Sequence, residues 1–169
     1  MSEITARAVR EMTAFYSKTS RVRVHDINHF LKVWGFARTI GLSEGLDPKT
    51  QKILELAAIA HDIACPLCRE KYGSTNGKYQ ETEGAPMVEA FLCGTGLSAA
   101  QIARVKYLVG HHHTFTDIDG IDYQILLEAD YLANASENGY GNDSIENFLN
   151  KIAKTEAGKQ LIRSVFCLN

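Results

Sequence analysis

Apolar residues recur along most of the chain at the three- and four-residue spacing of amphipathic helices, and no segment shows the strict apolar–polar alternation of a half-buried strand. Ser2 is the predicted N-cap of the first helix, and the pair Asp47-Pro48 is a strong start signal for the third. The helices predicted in this half of the chain cover residues 3–18, 25–42 and 47–62.

The second half of the chain continues the helical spacing after one interruption. Residues 69–82 are polar, contain two glycines and are predicted to form a loop. Three helices predicted after this loop begin near Glu83, Ser98 and Asp122, and Ser98 and Asp122 are their predicted N-caps. Two further helices are predicted over residues 143–154 and 156–167. The pattern as a whole predicts an all-α helical bundle of seven or eight helices.

Composition adds limits on function. The chain has 169 residues, 45% of them apolar and 22% charged, which is typical of one globular domain, and this domain is predicted to span residues 1–169. A net charge of −2 without a basic cluster argues against binding to nucleic-acid polymers or membrane surfaces. With no signal-peptide core and no run of about 18–20 apolar residues, a cytoplasmic location is predicted, and a homodimer is compatible with a chain of this size.

Two of the four cysteines form the motif Cys65-Pro66-Leu67-Cys68, which has the spacing of a redox or zinc site. Zinc would need two further ligands at comparable spacing, and no second Cys-x-x-Cys occurs. A thioredoxin-like motif follows a strand, whereas the segment before Cys65 is predicted to be helical. A redox role is kept as a minor hypothesis because the motif almost directly follows His61 and Asp62.

The adjacent His61 and Asp62 are the first candidate for chemistry, because they end the apolar helical run that begins at Ala57. Both side chains can bind a metal, and at the end of a buried helix they can approach one ion from neighbouring directions. Taken alone, the pair could equally be a hydrogen-bonded core histidine and a polar residue at a helix end.

Other predicted helices supply further candidate ligands. His29 lies on the second helix, and the run 111–113 consists of three histidines at the end of the helix that starts at Ser98. Asp130 lies in an otherwise apolar helix, where a carboxylate is costly unless it is paired or bound to a cation. Each could have an ordinary structural role, but together they indicate a mixed imidazole and carboxylate site for a first-row divalent metal.

The ordered set Asp26-x-x-His29, His61-Asp62 and Glu128-Ala129-Asp130 resembles the HD superfamily of metal-dependent phosphohydrolases, and the resemblance covers about residues 20–135. It implies a helical bundle in which one divalent ion (Mn, Fe, Co, Ni or Zn) is bound. It also implies hydrolysis of a phosphate ester or phosphoanhydride in a small nucleotide or other phosphorylated metabolite. The implied ligands are His29, His61, Asp62 and Asp130. Asp62 is also the candidate catalytic residue, because a carboxylate there could orient the attacking water.

Some members of this superfamily hold a second ion, and the resemblance extends to part of that site. His112 matches the later histidine of such members best, with His111 and His113 as alternatives, while Glu83 stands where those members have a histidine. A second metal or a phosphate contact is therefore expected from Glu83, His111 or His112. The chain lacks both the Glu-Asp pair after His-Asp that guanosine tetraphosphate hydrolases have and the Gly-Tyr-Pro motif of cyclic dinucleotide hydrolases.

Phosphate substrates need cations and N–H donors around them. Arg69, Lys71 and Lys78 of the predicted loop are the candidate phosphate-binding residues, although a plain solvated loop would have a similar composition. Asp26 is expected to orient His29 or to cap its helix. The alternative to an enzyme is a metal- or nucleotide-binding regulatory module that uses the same pocket with little turnover.

Overall fold

The computed structural model of the chain describes residues 2–168, and every regular element in that range is an α-helix, which confirms the predicted all-α class. The helices of this range are α1 (Glu3–Thr19), α2 (Arg23–Ser43), α3 (Pro48–Ala60), α4 (Cys65–Tyr72), α5 (Gly77–Phe91), α6 (Ala99–Val109), α7 (Ile121–Asn138), α8 (Asn142–Lys151) and α9 (Glu156–Phe166). Among the described residues, no helix is both long and apolar enough to cross a membrane.

Three helix starts follow directly from side chains that bind the free N–H groups of the first turn. Ser2 Oγ accepts from the Thr5 amide, and Asp47 Oδ1 accepts from two amides in the first turn of α3. Ser98 forms a reciprocal capping box with Gln101 at the start of α6. These three predicted N-caps are confirmed.

The loop predicted over residues 69–82 is wrong, because most of that segment is helical. Helix α4 already begins at Cys65 and ends at Tyr72, and its C-cap is Gly73, which has a φ of +64° that suits glycine. Asn76 then caps α5 through the amide of Lys78, so α5 begins well before the predicted start near Glu83. The segment is polar because these two helices face solvent on one side, and a short helix gives too little periodicity to distinguish it from a loop.

The predicted N-cap of α7 is also wrong. Gly120, with a φ of +110°, is the N-cap, and it forms no side-chain cap hydrogen bond. Asp122 lies within the first turn and accepts two hydrogen bonds from the guanidinium of Arg104 on α6. The carboxylate therefore joins two helices instead of starting one.

Helix α3 lies at the centre of the protein, and all of its residues from Ile53 to Ala60 are buried. Helices α2 and α7 pack against α3 and against each other, α1 covers α2 and α3, and α6 packs on α3 from another side with α5 beside it. Because α3 is surrounded, nearly its whole circumference is apolar. Its C-terminal end lies where α2, α6 and α7 also meet, and the candidate ligands lie at this junction.

A buried carboxylate attaches the C-terminal helices to this core. Glu128 of α7 accepts hydrogen bonds from the Gln124 side chain and from the backbone amides of Lys154 and Thr155, and it also binds the Thr155 hydroxyl. The side chain of Glu128 is completely buried, so these donors take the place of water. A Cβ atom on Gly158 would overlap Glu128 Oε2, which explains a glycine in the first turn of α9.

Candidate metal centre

One side chain from each of helices α2 and α7 and one from the residue directly after α3 converge on one point. His29 Nε2 lies 3.1 Å from His61 Nε2, and Asp130 Oδ1 lies 3.3 Å from His29 Nε2 and 3.4 Å from His61 Nε2. All three residues are buried. Ligand atoms at about 2.0–2.1 Å from one ion lie about 2.9–3.4 Å apart in octahedral or tetrahedral coordination, so this triangle has suitable dimensions for a first-row divalent ion.

The hydrogen bonds of the ring Nδ1 atoms determine which nitrogen of each histidine faces this point. His61 Nδ1 lies 2.8 Å from the carbonyl oxygen of Ala58, and His112 Nδ1 lies 2.7 Å from that of Val109. A carbonyl oxygen only accepts, so both Nδ1 atoms carry a hydrogen and both Nε2 atoms have a free lone pair when the rings are neutral. This is the tautomer that a metal site requires.

The resulting cluster of acceptor atoms needs a cation. Burial alone would lower the pKa of His29, but the hydrogen bond to Asp130 and the charges of Asp62 and Asp130 outweigh burial and raise the pKa to about 10. Burial would raise the pKa of Asp130, whereas His29 and His61 hold it below its ordinary value. A proton on His29 balances the cluster in the metal-free protein, and a divalent ion fits the same place.

Asp62 lies between this cluster and a second group of ligand atoms. Its Oδ2 lies 3.6 Å from His29 Nε2 and 3.7 Å from His61 Nε2, while its Oδ1 lies 3.5 Å from His112 Nε2. Asp62, His112 and His113 offer ligand atoms that all lie within 4.8 Å of one another. The Nε2 atoms of both His112 and His113 are buried without a hydrogen-bond partner among the described residues, and imidazole nitrogens in such surroundings are suited to bind a metal ion.

The first turns of α5 hold His113 in place. Glu81 accepts hydrogen bonds from the His113 amide (3.0 Å) and from the Thr114 hydroxyl (2.9 Å). Gly77 lies against the imidazole so closely that a Cβ atom there would be 2.6 Å from His113 Cγ. Burial and the neighbouring His112 lower the pKa of His113 to about 4, so its ring is neutral at pH 7.

Helix α7 supplies two supporting side chains that sequence reasoning missed. The Asn134 amide donates to Asp130 Oδ1 at 2.9 Å, and Glu137 Oε2 lies 2.7 Å from His29 Nδ1. These residues follow Asp130 by four and seven positions, which places all three on one face of the helix. That spacing was the signal available in the sequence.

A polar cavity of about 280 Å³ opens beside the ligand atoms. Asp26 lies in the wall of this cavity. The sequence predicted that Asp26 would orient His29 or cap α2, and it does neither. Its carboxylate instead forms two hydrogen bonds with the Arg69 guanidinium, at 2.7 and 2.8 Å, and accepts one from the Ser20 hydroxyl. The side chains lining the cavity are His25, Asp26, His29, Asp62, Cys65, Arg69, Thr75, Gln80, His113, Asp130, Asn134 and Asn138.

Several predicted contact residues lie elsewhere. Glu83 and Lys71 form an ion pair of 2.7 Å with each other on the surface between α4 and α5. Lys78 is exposed on the first turn of α5 and does not line the cavity. His111 Nδ1 donates to the Tyr107 carbonyl, and its ring stacks on that of Tyr107. Among the candidate phosphate-binding residues, Arg69 lines the cavity. Among the candidate ligands of a second metal, His112 faces Asp62.

The thiols of Cys65 and Cys68 are free and buried. Cys65 Sγ donates to Gln80 Oε1 at 3.3 Å in the cavity wall. Burial raises the pKa of both thiols above the ordinary value. Because thiol exchange proceeds through the thiolate, these surroundings oppose the minor redox hypothesis.

An all-helical fold that brings a histidine, a His-Asp pair and a distal aspartate together defines a class of metal-dependent hydrolases. The sequence model of the HD domain matches residues 26–135, and the chain belongs to that family. This match includes His29, His61, Asp62 and Asp130.

Two solved structures share the fold. A crystal structure described as a predicted HD superfamily hydrolase, from an uncultured Thermotogales bacterium, has a TM-score of 0.67 and 23% sequence identity and covers 98% of this chain and 84% of its own. The crystal structure of Bacillus subtilis YpgQ has a TM-score of 0.58 and 16% identity and covers 98% of this chain and 89% of its own. Comparison with curated proteins gives no match.

Proposed function

We propose that this protein is a metal-dependent phosphohydrolase that cleaves a phosphate ester or phosphoanhydride bond in a small nucleotide or other phosphorylated metabolite. One observation carries the proposal: His29 Nε2, His61 Nε2 and Asp130 Oδ1 face one another at 3.1–3.4 Å inside the protein. Three buried acceptor atoms in this arrangement repel one another unless a cation lies among them.

The proposed ligands of the first ion are His29, His61, Asp62 and Asp130. Asp62 would also contribute to a second ion with His112 and His113, since its two carboxylate oxygens face different clusters. Either ion, when bound, would polarise a phosphoryl oxygen and lower the pKa of a coordinated water from about 15.7 toward about 7. Imidazole and carboxylate ligands suit Mn, Fe, Co, Ni or Zn.

Asp62 is the proposed catalytic residue because its carboxylate reaches the cavity. Its side chain is 21% exposed, whereas those of His61 and His112 are 0% exposed. Burial raises the pKa of Asp62, but the neighbouring imidazoles of His61, His29 and His112 outweigh burial, so the pKa lies well below its ordinary value. An ionised carboxylate at the cavity wall can orient a water and accept its hydrogen bond.

Arg69 is the proposed phosphate contact. Asp26 holds its guanidinium with two hydrogen bonds, which fixes the plane of the group at the cavity wall. Gln80 and Asn138 also line the cavity and can contact polar groups of the substrate. Ligand pockets usually measure about 300–1,000 Å³, so a cavity of about 280 Å³ suits the reacting phosphoryl group and its immediate surroundings.

The decisive experiment combines metal analysis with a substrate screen. Protein purified without chelator or histidine tag should contain one or two equivalents of a transition metal, and His61→Ala and Asp130→Ala should lose it. The wild type, loaded with Mn²⁺, should hydrolyse members of a panel of nucleotides, sugar phosphates and p-nitrophenyl phosphate.

Asp62→Asn separates an enzyme from a regulatory binding module. In an enzyme it should reduce turnover by about 10²–10⁴-fold. Glu89→Gln, which changes an exposed carboxylate paired with Lys106 on the surface, is the matched control and should retain full activity. A wild type that binds metal and hydrolyses nothing on the panel would favour the module, and a wild type that cannot be loaded with Mn²⁺, Fe²⁺ or Zn²⁺ would overturn the proposal.

A further inference from the structure

Glu137 is an almost buried carboxylate that joins the metal centre to the surface. Its side chain is 10% exposed. Oε2 lies 2.7 Å from His29 Nδ1, and Oε1 accepts a hydrogen bond of 2.9 Å from Lys32 Nζ. His25 Nε2 lies 3.7 Å from Oε2. Both oxygens of this carboxylate are thus engaged, one toward the candidate ligand and one toward solvent.

His29 needs such a partner because of its place in the fold. His61 and His112 follow the ends of α3 and α6, where backbone carbonyl groups are free to accept their Nδ1 hydrogens. His29 lies inside α2, where the carbonyl groups of the helix are already bonded to amides of the next turn. An acceptor must therefore come from another helix, and α7 provides Glu137 two turns after Asp130.

We infer that Glu137, held by Lys32, is a positioning residue that fixes the Nδ1–H tautomer and the ring orientation of His29, and so sets the affinity of the first metal ion. The inference rests on the proposed function to the extent that His29 is a metal ligand. An anionic acceptor also makes the imidazole a better electron donor, which a backbone carbonyl does to a smaller extent. His29 is in this respect unlike His61 and His112.

Lys32 explains how the carboxylate is kept in position. Its side chain is 44% exposed, so its charge is largely solvated and its role is to hold Oε1 while Oε2 faces His29. Removing Lys32 leaves the acceptor in place, whereas removing Glu137 leaves His29 Nδ1 without one. The two changes should therefore differ in size, with the larger effect at Glu137.

The test measures Mn²⁺ affinity in the full-length protein by competition with a fluorescent chelator. Loss of a hydrogen-bond partner of a metal-binding histidine typically costs about 10–100-fold in metal affinity, and Glu137→Leu should fall in this range. Glu137→Gln, which keeps an acceptor but removes the charge, should lose less, and Lys32→Met should lose less than Glu137→Leu. Glu146→Gln, which removes an exposed carboxylate on α8, should bind Mn²⁺ like the wild type.

A second readout is independent of activity and of affinity. In protein loaded with Zn²⁺, the His29 Nδ1 proton should appear in ¹H–¹⁵N spectra as a slowly exchanging signal, because a carboxylate binds it inside the protein. Glu137→Leu should lose this signal while the corresponding signals of His61 and His112 persist. Glu137→Ala, which also removes the acceptor, serves the same comparison if the leucine variant does not fold.

The outcomes separate this inference from the proposed function. If the wild type binds Mn²⁺ and both Glu137 variants bind it equally well, the positioning role is wrong and the phosphohydrolase proposal stands. If the wild type binds no divalent metal, both the positioning role of Glu137 and the phosphohydrolase proposal are wrong, because His29 is then not a ligand. Weaker binding in the Glu137 variants, an unchanged Glu146→Gln control and loss of the His29 signal would support the inference.

Discussion

The Nε2 atoms of His29 and His61 face each other at 3.1 Å, and neither carries a hydrogen when both rings are neutral, because each ring has its hydrogen on Nδ1. Asp130 completes the triangle with a third acceptor. A proton or a metal ion must lie among these atoms for the native structure to be stable. A proton and a metal ion therefore compete for the same place, and this competition has measurable consequences.

The first consequence is a dependence of stability on pH in the metal-free protein. The pKa of His29 is raised from 6.5 to about 10, so the protonated ring contributes stability that is fully present below about pH 6.5 and is lost as the pH rises through about 10. We expect the Tm of protein stripped with EDTA to fall between pH 7 and pH 9.5. Protein loaded with Zn²⁺ should lose less over the same range, because the ion replaces the proton.

Thermal unfolding followed by circular dichroism measures both curves. His29→Leu, which removes the titrating ring, is the matched variant and should show a flatter Tm profile in EDTA than the wild type. Parallel profiles for stripped and loaded wild-type protein would contradict the competition between proton and metal.

The position of Asp62 between two clusters leads to a prediction about metal stoichiometry. Its Oδ2 faces His29 and His61 and its Oδ1 faces His112, so Asp62→Asn should weaken binding at both places. His112→Ala should weaken only the second. Titration of stripped protein with Mn²⁺ should give two equivalents for the wild type and one for His112→Ala, while Asp62→Asn should bind both ions more weakly. A single equivalent in the wild type that His112→Ala leaves unchanged would rule out the second site.

Glu128 provides a test of stability that is separate from the metal centre. Its buried carboxylate accepts hydrogen bonds from the backbone amides of Lys154 and Thr155, so Glu128→Gln replaces one acceptor oxygen with an amide group that cannot accept. We expect the free energy of unfolding to fall by about 1–3 kcal/mol. Denaturant unfolding measures this, Mn²⁺ affinity should remain within a few-fold of the wild type, and Glu146→Gln should be neutral. A loss below about 0.5 kcal/mol would show that the C-terminal helices are held by other contacts.

The residues of the centre that could be predicted from sequence are those whose chemistry is unusual for their surroundings. Asp130 lies in an apolar helix and His61 directly follows another, and a buried ionisable group without an obvious partner indicates a site. The helices that carry them were also predictable, because long amphipathic segments and capping residues such as Ser98 give strong local signals.

Residues whose roles depend on how helices pack could not be predicted in this way. Glu137 lies in the last turn of α7 on the same face as Asp130, but its role arises because α2 places His29 beside it, which the spacing alone does not show. The sequence predicts Lys71 as a phosphate contact and Glu83 as a metal or phosphate contact, yet they pair with each other, because the segment forms two helices instead of one loop. Because this segment was predicted as a loop, the close approach of Gly77 to His113 could not be predicted either.

Gly77 therefore provides the last prediction. A Cβ atom at this position would lie 2.6 Å from His113 Cγ and 2.7 Å from its Cβ, and neither atom can move without shifting the ring or the backbone of α5. We expect Gly77→Ala to displace the imidazole, to weaken the second metal site and to reduce turnover while the first site still binds one ion. Titration with Mn²⁺ and steady-state kinetics measure the two effects.

Gly35→Ala is the matched control, because it makes the same substitution inside α2 at a position with no atom within 4 Å of the added Cβ. It should stabilise the protein by about 0.5–1 kcal/mol, since alanine is the better helix former, and should leave both metal sites intact. Gly77→Ala protein with two full-affinity Mn²⁺ sites and wild-type turnover would show that His113 is not a ligand. The second ion would then depend on Asp62 and His112 alone.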